Sequence, residues 1–192
     1  MLTAADIPLV PALESLAATL LPRVLAAPAP AWVPMPAATM YRGEWRALLF
    51  SAGPWAAEFP AADLTANLRT FPDAAALLAG HPELGVFGVL SLAAGAELLP
   101  HRDRRDDSEI RVHIPFQLGG ETDPPWVLHR ARLLDIRSLH RGHNPGVLPR
   151  LTLVADVRLE RTVALGEVAE WDAAVAEPGG TVHQDRASGS EP

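Results

Sequence analysis

The sequence predicts a mainly β fold with flanking helices, an antiparallel sandwich or open barrel of jelly-roll type. Three observations carry this. From Leu84 onward the hydrophobic period changes from helical to alternating, and short apolar runs recur as far as residue 159. Turn formers separate those runs: Gly95, Gly119-Gly120, Pro124-Pro125 and Asn144-Pro145-Gly146. Finally, 192 residues at 48% hydrophobic are enough for one domain with one core. We place that domain at 1–165, with its β core at about 71–158. Residues 166–192 form a C-terminal extension, and its polar Gly/Pro/Ser-rich end reads as disordered.

Each element has its own signal. Leu9, Leu13, Leu16, Leu20 and Val24 share one helical stripe over 9–25, with Pro22 as a kink or break. "APAPAWVPMP" (27–36) is extended and leads to "EWRALLF" (44–50), an expected edge strand. "FPDAAALLAG" (71–80) is a short helix: Pro72 suits its first turn, Asp73 its positive end, and Gly80 the position after its last turn. The expected strands are 86–92, 97–102, 109–118, 126–130, 132–137 and 150–159. A last helical stretch is expected at 166–176.

Bulk properties exclude several functions. Net charge is −7 without a basic block, which argues against tracking nucleic-acid phosphates. Without cysteine there are no disulfides, thiolate metal sites or thiol nucleophiles, so any metal must be held by His and carboxylate. The longest uncharged run, 24–41, approaches membrane-span length. It contains Pro28, Pro30, Pro34 and Pro36, whose missing donors a spanning helix could hardly satisfy. Asp6 and Glu14 near the N-terminus, with no basic segment, argue against a secretory leader. The expectation is a soluble, cytoplasmic protein that binds neither nucleic acid nor membrane.

The chemistry concentrates in "PHRDRRDDSEIRVHIPF" (100–116). His101 and Asp103 are two residues apart, so on a strand they share a face and can converge on one ion. A second imidazole downstream would complete a two-His, one-carboxylate set, which leaves three adjacent metal positions open and suits non-haem Fe(II). Alone, the His-x-Asp spacing is a weak motif. Arg111 and His113 alternate with Val112 and Ile114 and so face the opposite side from that apolar pair. Arg150 opens an otherwise apolar strand, where it must find a partner, cost several kcal/mol, or start the strand in water.

Downstream, "LLDIRSLHRGHNPGVLPRLTLVADV" holds Asp135, His140, Asn144, Arg150 and Asp156. Together with "PHRD", "RVHIPF" and the helix and strand at 71–92, it resembles the aspartyl/asparaginyl β-hydroxylase family and related proline hydroxylases. The resemblance spans about 71–158 and rests on five separated elements in the same order and spacing. It implies a double-stranded β-helix (jelly-roll, cupin-like) core and an Fe(II)- and 2-oxoglutarate-dependent dioxygenase that consumes O2. By the same resemblance His101, Asp103 and His140 are the metal ligands. Arg150 would grip the distal carboxylate of 2-oxoglutarate, and Arg111 and His113 would contact 2-oxoglutarate or an acidic substrate group. The sequence departs from the family where a hydroxyl residue would fall at Leu90, and "PPWVLHRARLLDI" is compressed. The implied activity is hydroxylation of a C–H bond of an amino acid or amino-acid residue (Asp/Asn- or Pro-like), in a small molecule or peptide, with release of succinate and CO2. Arg111, with Arg104 and Arg105 on the adjoining loop, points to an anionic substrate. Two other classes stay open: a cupin-like metal enzyme that does not use 2-oxoglutarate, and a non-catalytic jelly-roll binding module.

Overall fold

A computed structural model describes residues 1–36, 38–103, 106–120 and 126–168. Three helices, α1 (Val10–Leu25), α2 (Leu64–Thr70) and α3 (Pro72–Gly80), accompany nine strands. These are β1 (Val33–Pro34), β2 (Tyr41–Arg42), β3 (Trp45–Ala52), β4 (Leu84–Leu92), β5 (Glu97–His101), β6 (Glu109–Gln117), β7 (Arg132–Leu134), β8 (His140–His143) and β9 (Arg150–Arg158). They form two antiparallel sheets. One has six strands in the order β1-β3-β4-β9-β6-β7, the other three in the order β2-β5-β8. No helix of the described residues is long and apolar enough to cross a membrane.

The alternation read in the sequence becomes a two-faced sheet. On its back face Leu48 and Phe50 (β3), Phe87 and Val89 (β4), Leu151, Leu153, Ala155 and Val157 (β9), and Ile110, Val112, Ile114 and Phe116 (β6) join one buried cluster. The stripe of α1 completes it: Leu9, Leu13, Leu16, Leu20 and Val24 are all at most 5% exposed. Leu84 and Phe87 lie three apart yet both reach this face. A bulge makes that possible, since Leu84 pairs with Val157 and Phe87 with Ala155.

Several local expectations need correction. Pro22 does not break α1, which continues to Leu25. Pro22 and Ala18 both lie on the solvent side, where the Ala18 carbonyl that loses its helical donor can turn to water. Gly80 is the last helical residue rather than the one beyond it; His81 caps the end with φ −134°. The 44–50 strand is not an edge, because β1 flanks it on one side and β4 on the other. Residues 126–130 form a turn instead of a strand: His129 takes φ +61° and Val127 is 61% exposed. Among the elements that were not expected, two stand near the site residues or the register shift of β3. In α2 the Asp63 side chain accepts from the Ala66 amide as an N-cap. Inside α2, Asn67 donates to the Leu49 carbonyl, next to the bulge where β3 shifts register. The second unexpected element is β8, which carries His140. The helix expected at 166–176 and the disordered end lie, from residue 169 on, outside the described residues, as do Pro124-Pro125.

Candidate active site

The front face of the six-stranded sheet is built from the alternate residues of the same strands. On β9 these are Arg150, Thr152, Val154 and Asp156; on β6, Arg111 and His113; on β4, Val86, Gly88 and Leu90. The three-stranded sheet supplies the other side. In it β5 and β8 pair so that His101 stands directly opposite His140. Cross-strand partners of this kind bring side chains within reach of one another. The two imidazole rings are 4.1 Å apart, centroid to centroid.

His101, Asp103 and His140 form a group whose ligand atoms all lie within 4.8 Å of one another, and which could hold a metal ion. Their orientation is set by the backbone. His101 Nδ1 donates to the Leu99 carbonyl at 2.7 Å and His140 Nδ1 to the Ser138 carbonyl at 3.0 Å. A carbonyl only accepts, so in each neutral ring the proton sits on Nδ1 and the Nε2 lone pair is left for the site. Burial, then the adjacent His101, lowers the His140 pKa to about 4, so its ring is neutral at neutral pH. Asp103 is held by its own amide, which donates to the Ile136 carbonyl, and by Arg111 Nη1, 3.3 Å from Oδ2. That leaves Oδ1 on the side of His101 Nε2, 3.7 Å away. Two imidazoles and one carboxylate fit a hard-to-borderline divalent ion such as Fe(II).

Arg111 departs from expectation. Its Nε and Nη2 bind both oxygens of Asp156, its direct cross-strand partner, at 2.6 and 2.9 Å. Burial works against the charge, but Asp156 and Asp103 more than offset it and raise the Arg111 pKa. The guanidinium is therefore committed to two carboxylates of this chain. Arg104 and Arg105 lie outside the described residues.

Arg150 presents the opposite case. It is only 9% exposed, and among the described residues no carboxylate lies within ion-pair distance of its guanidinium. Nη1 donates to the His143 carbonyl, and the group sits 5.5 Å from the centre of the Trp126 ring. Burial lowers its pKa to about 10, which still leaves it cationic at neutral pH. Arg150 lines a small cavity of about 50 Å³ together with His101, Asp103 and His140. His113 lines it too, stacked on Trp126 at 5.9 Å; burial, then Arg111, pushes its pKa well down, so its ring is neutral.

A larger cavity of about 290 Å³ meets the first at His101, Asp103, Arg111, Trp45 and Leu90. Half of its lining comes from residues 35–59, and the other half from β4, β9 and the stretch from His101 to Arg111.

Two further residues named in the sequence find structural roles. Asn144 is 1% exposed, and its Nδ2 donates to the carbonyls of Leu92, Ala93 and Leu148. It ties the β8–β9 loop to the end of β4, and so fixes His140 and Arg150 relative to each other. Asp135 holds Arg137 through both oxygens, closing the turn that leads into β8. The residue that sequence reasoning missed is Trp126, 7% exposed and packed against both Arg150 and His113. A lone Trp beside Pro-Pro in a polar loop was the available signal. His143 is exposed at the end of β8 and His81 follows α3, both outside the ligand group. His183 lies outside the described residues.

No protein-family model and no curated protein sequence matches the chain. Among solved structures, a Pseudomonas putida prolyl-4-hydroxylase overlaps 80% of this chain and 89% of its own, at 15% identity and TM-score 0.35. A Thermus thermophilus protein overlaps 40% of this chain and 75% of its own, at 16% identity and TM-score 0.27. Both overlaps are loose, and the functional reading rests on the side chains themselves.

Proposed function

We propose that the chain is an Fe(II)- and 2-oxoglutarate-dependent dioxygenase on a double-stranded β-helix core, hydroxylating a C–H bond of an amino acid or amino-acid residue in a small molecule or peptide. The observation that carries this reading is Arg150: a buried cation with no carboxylate partner among the described residues, sharing a small cavity with two imidazoles and a carboxylate. A buried guanidinium without an anion is costly unless a ligand supplies one, and Arg suits a carboxylate because it can bind both oxygens at once.

With iron bound, O2 would supply one oxygen atom to the substrate and one to succinate, as 2-oxoglutarate loses CO2. The protein's contribution is placement. His101 and His140 present Nε2 because their Nδ1 protons are held by backbone. Asp103 presents Oδ1 because Arg111 holds Oδ2. Arg150 receives the distal carboxylate of 2-oxoglutarate, with Trp126 as a wall that keeps water from that ion pair. His113, neutral and buried, contributes another wall of the same cavity, while Arg111 acts on Asp103.

Calorimetric titration of 2-oxoglutarate into the Mn(II)-loaded protein tests the reading. Wild type should bind, and Arg150→Ala should weaken binding by ~2–5 kcal/mol while Mn(II) affinity holds. Equal 2-oxoglutarate affinity in the two proteins, or none in wild type, would instead favour a metal enzyme that does without this co-substrate. Metal-loaded protein that binds 2-oxoglutarate yet releases no succinate would point to a binding module.

A further inference from the structure

We infer that the group this protein delivers to its metal is uncharged and apolar, and that it is seated in the larger cavity; the inference rests on the dioxygenase reading. The two cavities that meet at His101 and Asp103 have opposite characters. The small one ends on a buried guanidinium without a carboxylate partner among the described residues. The large one is walled by Met35, Met40, Trp45, Trp55, Phe59 and Leu90. Its volume, about 290 Å³, is near the lower end for small-molecule sites, which run from ~300 to 1,000 Å³.

Among the described residues, the charged groups that line the large cavity do not form an anion site. Arg111, at its inner end, is bound to both Asp156 oxygens and to Asp103. Glu58 and Arg102 are exposed, one of each sign, and Arg102 Nη1 donates to the Arg137 carbonyl. A carboxylate entering this space would shed water without an uncommitted cation among the described residues to receive it, and that desolvation is expensive. An aliphatic or aromatic group gains there from the same burial, and thioether and indole walls adapt to its shape.

The lining is also continuous with a packed apolar layer. Met35, Phe59, Val86 and Leu90 rest on the buried Val33, Ala47, Leu49 and Ala52. The wall is thus fixed from behind rather than being a loose collection of side chains. Residues 35–59, the 3-10 turn at Gly53–Glu58 among them, supply half of the lining and strands of the large sheet much of the rest, so residues 35–59 shape the substrate class while the sheets supply metal and co-substrate groups.

Naphthylmethanol and naphthoate share a ring system and differ in charge, so they separate the two possibilities. Both are titrated into the Mn(II)-loaded protein, with and without 2-oxoglutarate. Naphthylmethanol is expected to bind about tenfold more tightly than naphthoate. Met35→Glu and Met40→Glu, at half-buried positions on separate segments, should each weaken naphthylmethanol binding by about tenfold. Equal or reversed preference, no binding of either probe, or unchanged affinity in both variants overturns the inference. Failure of 2-oxoglutarate to bind wild type sinks the dioxygenase reading instead. The probe preference measured without 2-oxoglutarate still decides the character of the cavity.

Discussion

Alternate residues of β9 serve two different purposes. Leu151, Leu153, Ala155 and Val157 point back into the core beneath α1, whereas Arg150, Thr152, Val154 and Asp156 point forward into the site. Both sets are buried; all eight residues are at most 9% exposed. Burial therefore does not separate the two faces. What separates them is how buried groups are satisfied: the back face by packing among apolar side chains, the front face by specific polar partners. Substitutions should accordingly divide between stability and ligand binding, according to the face they alter.

The sharpest test of that division is His140→Ala. We expect Mn(II) affinity to fall more than ~100-fold, beyond the usual cost of losing a residue behind the ligands. The thermal midpoint should stay near wild type, because His140 belongs to the small sheet and not to the buried cluster beneath α1. Calorimetry and a melting curve on the same sample check both halves. Phe87→Ala should do the reverse. It empties a fully buried ring position beside Phe50 on the back face of the sheet, so urea denaturation should show a loss of ~3–5 kcal/mol with metal affinity retained.

Arg111→Met is the case designed to blur the comparison. It sits on the front face, yet it leaves Asp156 buried without its guanidinium, at a cost of ~3–5 kcal/mol. Adding Asp156→Asn should recover much of that stability. If the single variant instead melted like wild type, front-face residues would be energetically separable from the fold. Arg150→Gln should leave the melting temperature intact or higher. Folding lowers the Arg150 pKa to about 10, so the folded state disfavours its charge at neutral pH and a neutral replacement relieves that cost. Affinity for 2-oxoglutarate should drop nonetheless. The smallest effect is assigned to Gly142→Ala, whose added methyl would lie 3.3 Å from Arg150 Nη2. A small displacement of the guanidinium should reduce 2-oxoglutarate affinity by roughly threefold to tenfold, without touching metal binding.

The same contrast explains what was readable beforehand. The back face repeats every second residue on β4, β6 and β9 and every three to four residues on α1, so a hydrophobic pattern exposes it. On the front face Arg111, His113, Arg150 and Asp156 stood out as polar residues within those apolar strands. Their partners were not readable, because Arg111–Asp156 is a cross-strand pairing 45 residues apart in sequence. Nor was β8: "HRGH" has no apolar alternation, since it packs on a small sheet over a polar site. The large cavity was invisible for a related reason. Met35, Met40, Trp45, Trp55 and Phe59 follow no period, and only the fold of the segment gathers them. The resemblance to the hydroxylases named three candidate ligands and Arg150 by spacing, and the structure brings those four residues to one cavity.

One consequence follows from the way both histidines are aimed. Each donates Nδ1–H to the carbonyl two residues before it, Leu99 for His101 and Ser138 for His140. A carbonyl is present whatever side chain its residue bears. The orientation of both imidazoles is thereby insulated from substitution at positions 99 and 138, with no dedicated supporting residue that a single mutation could remove.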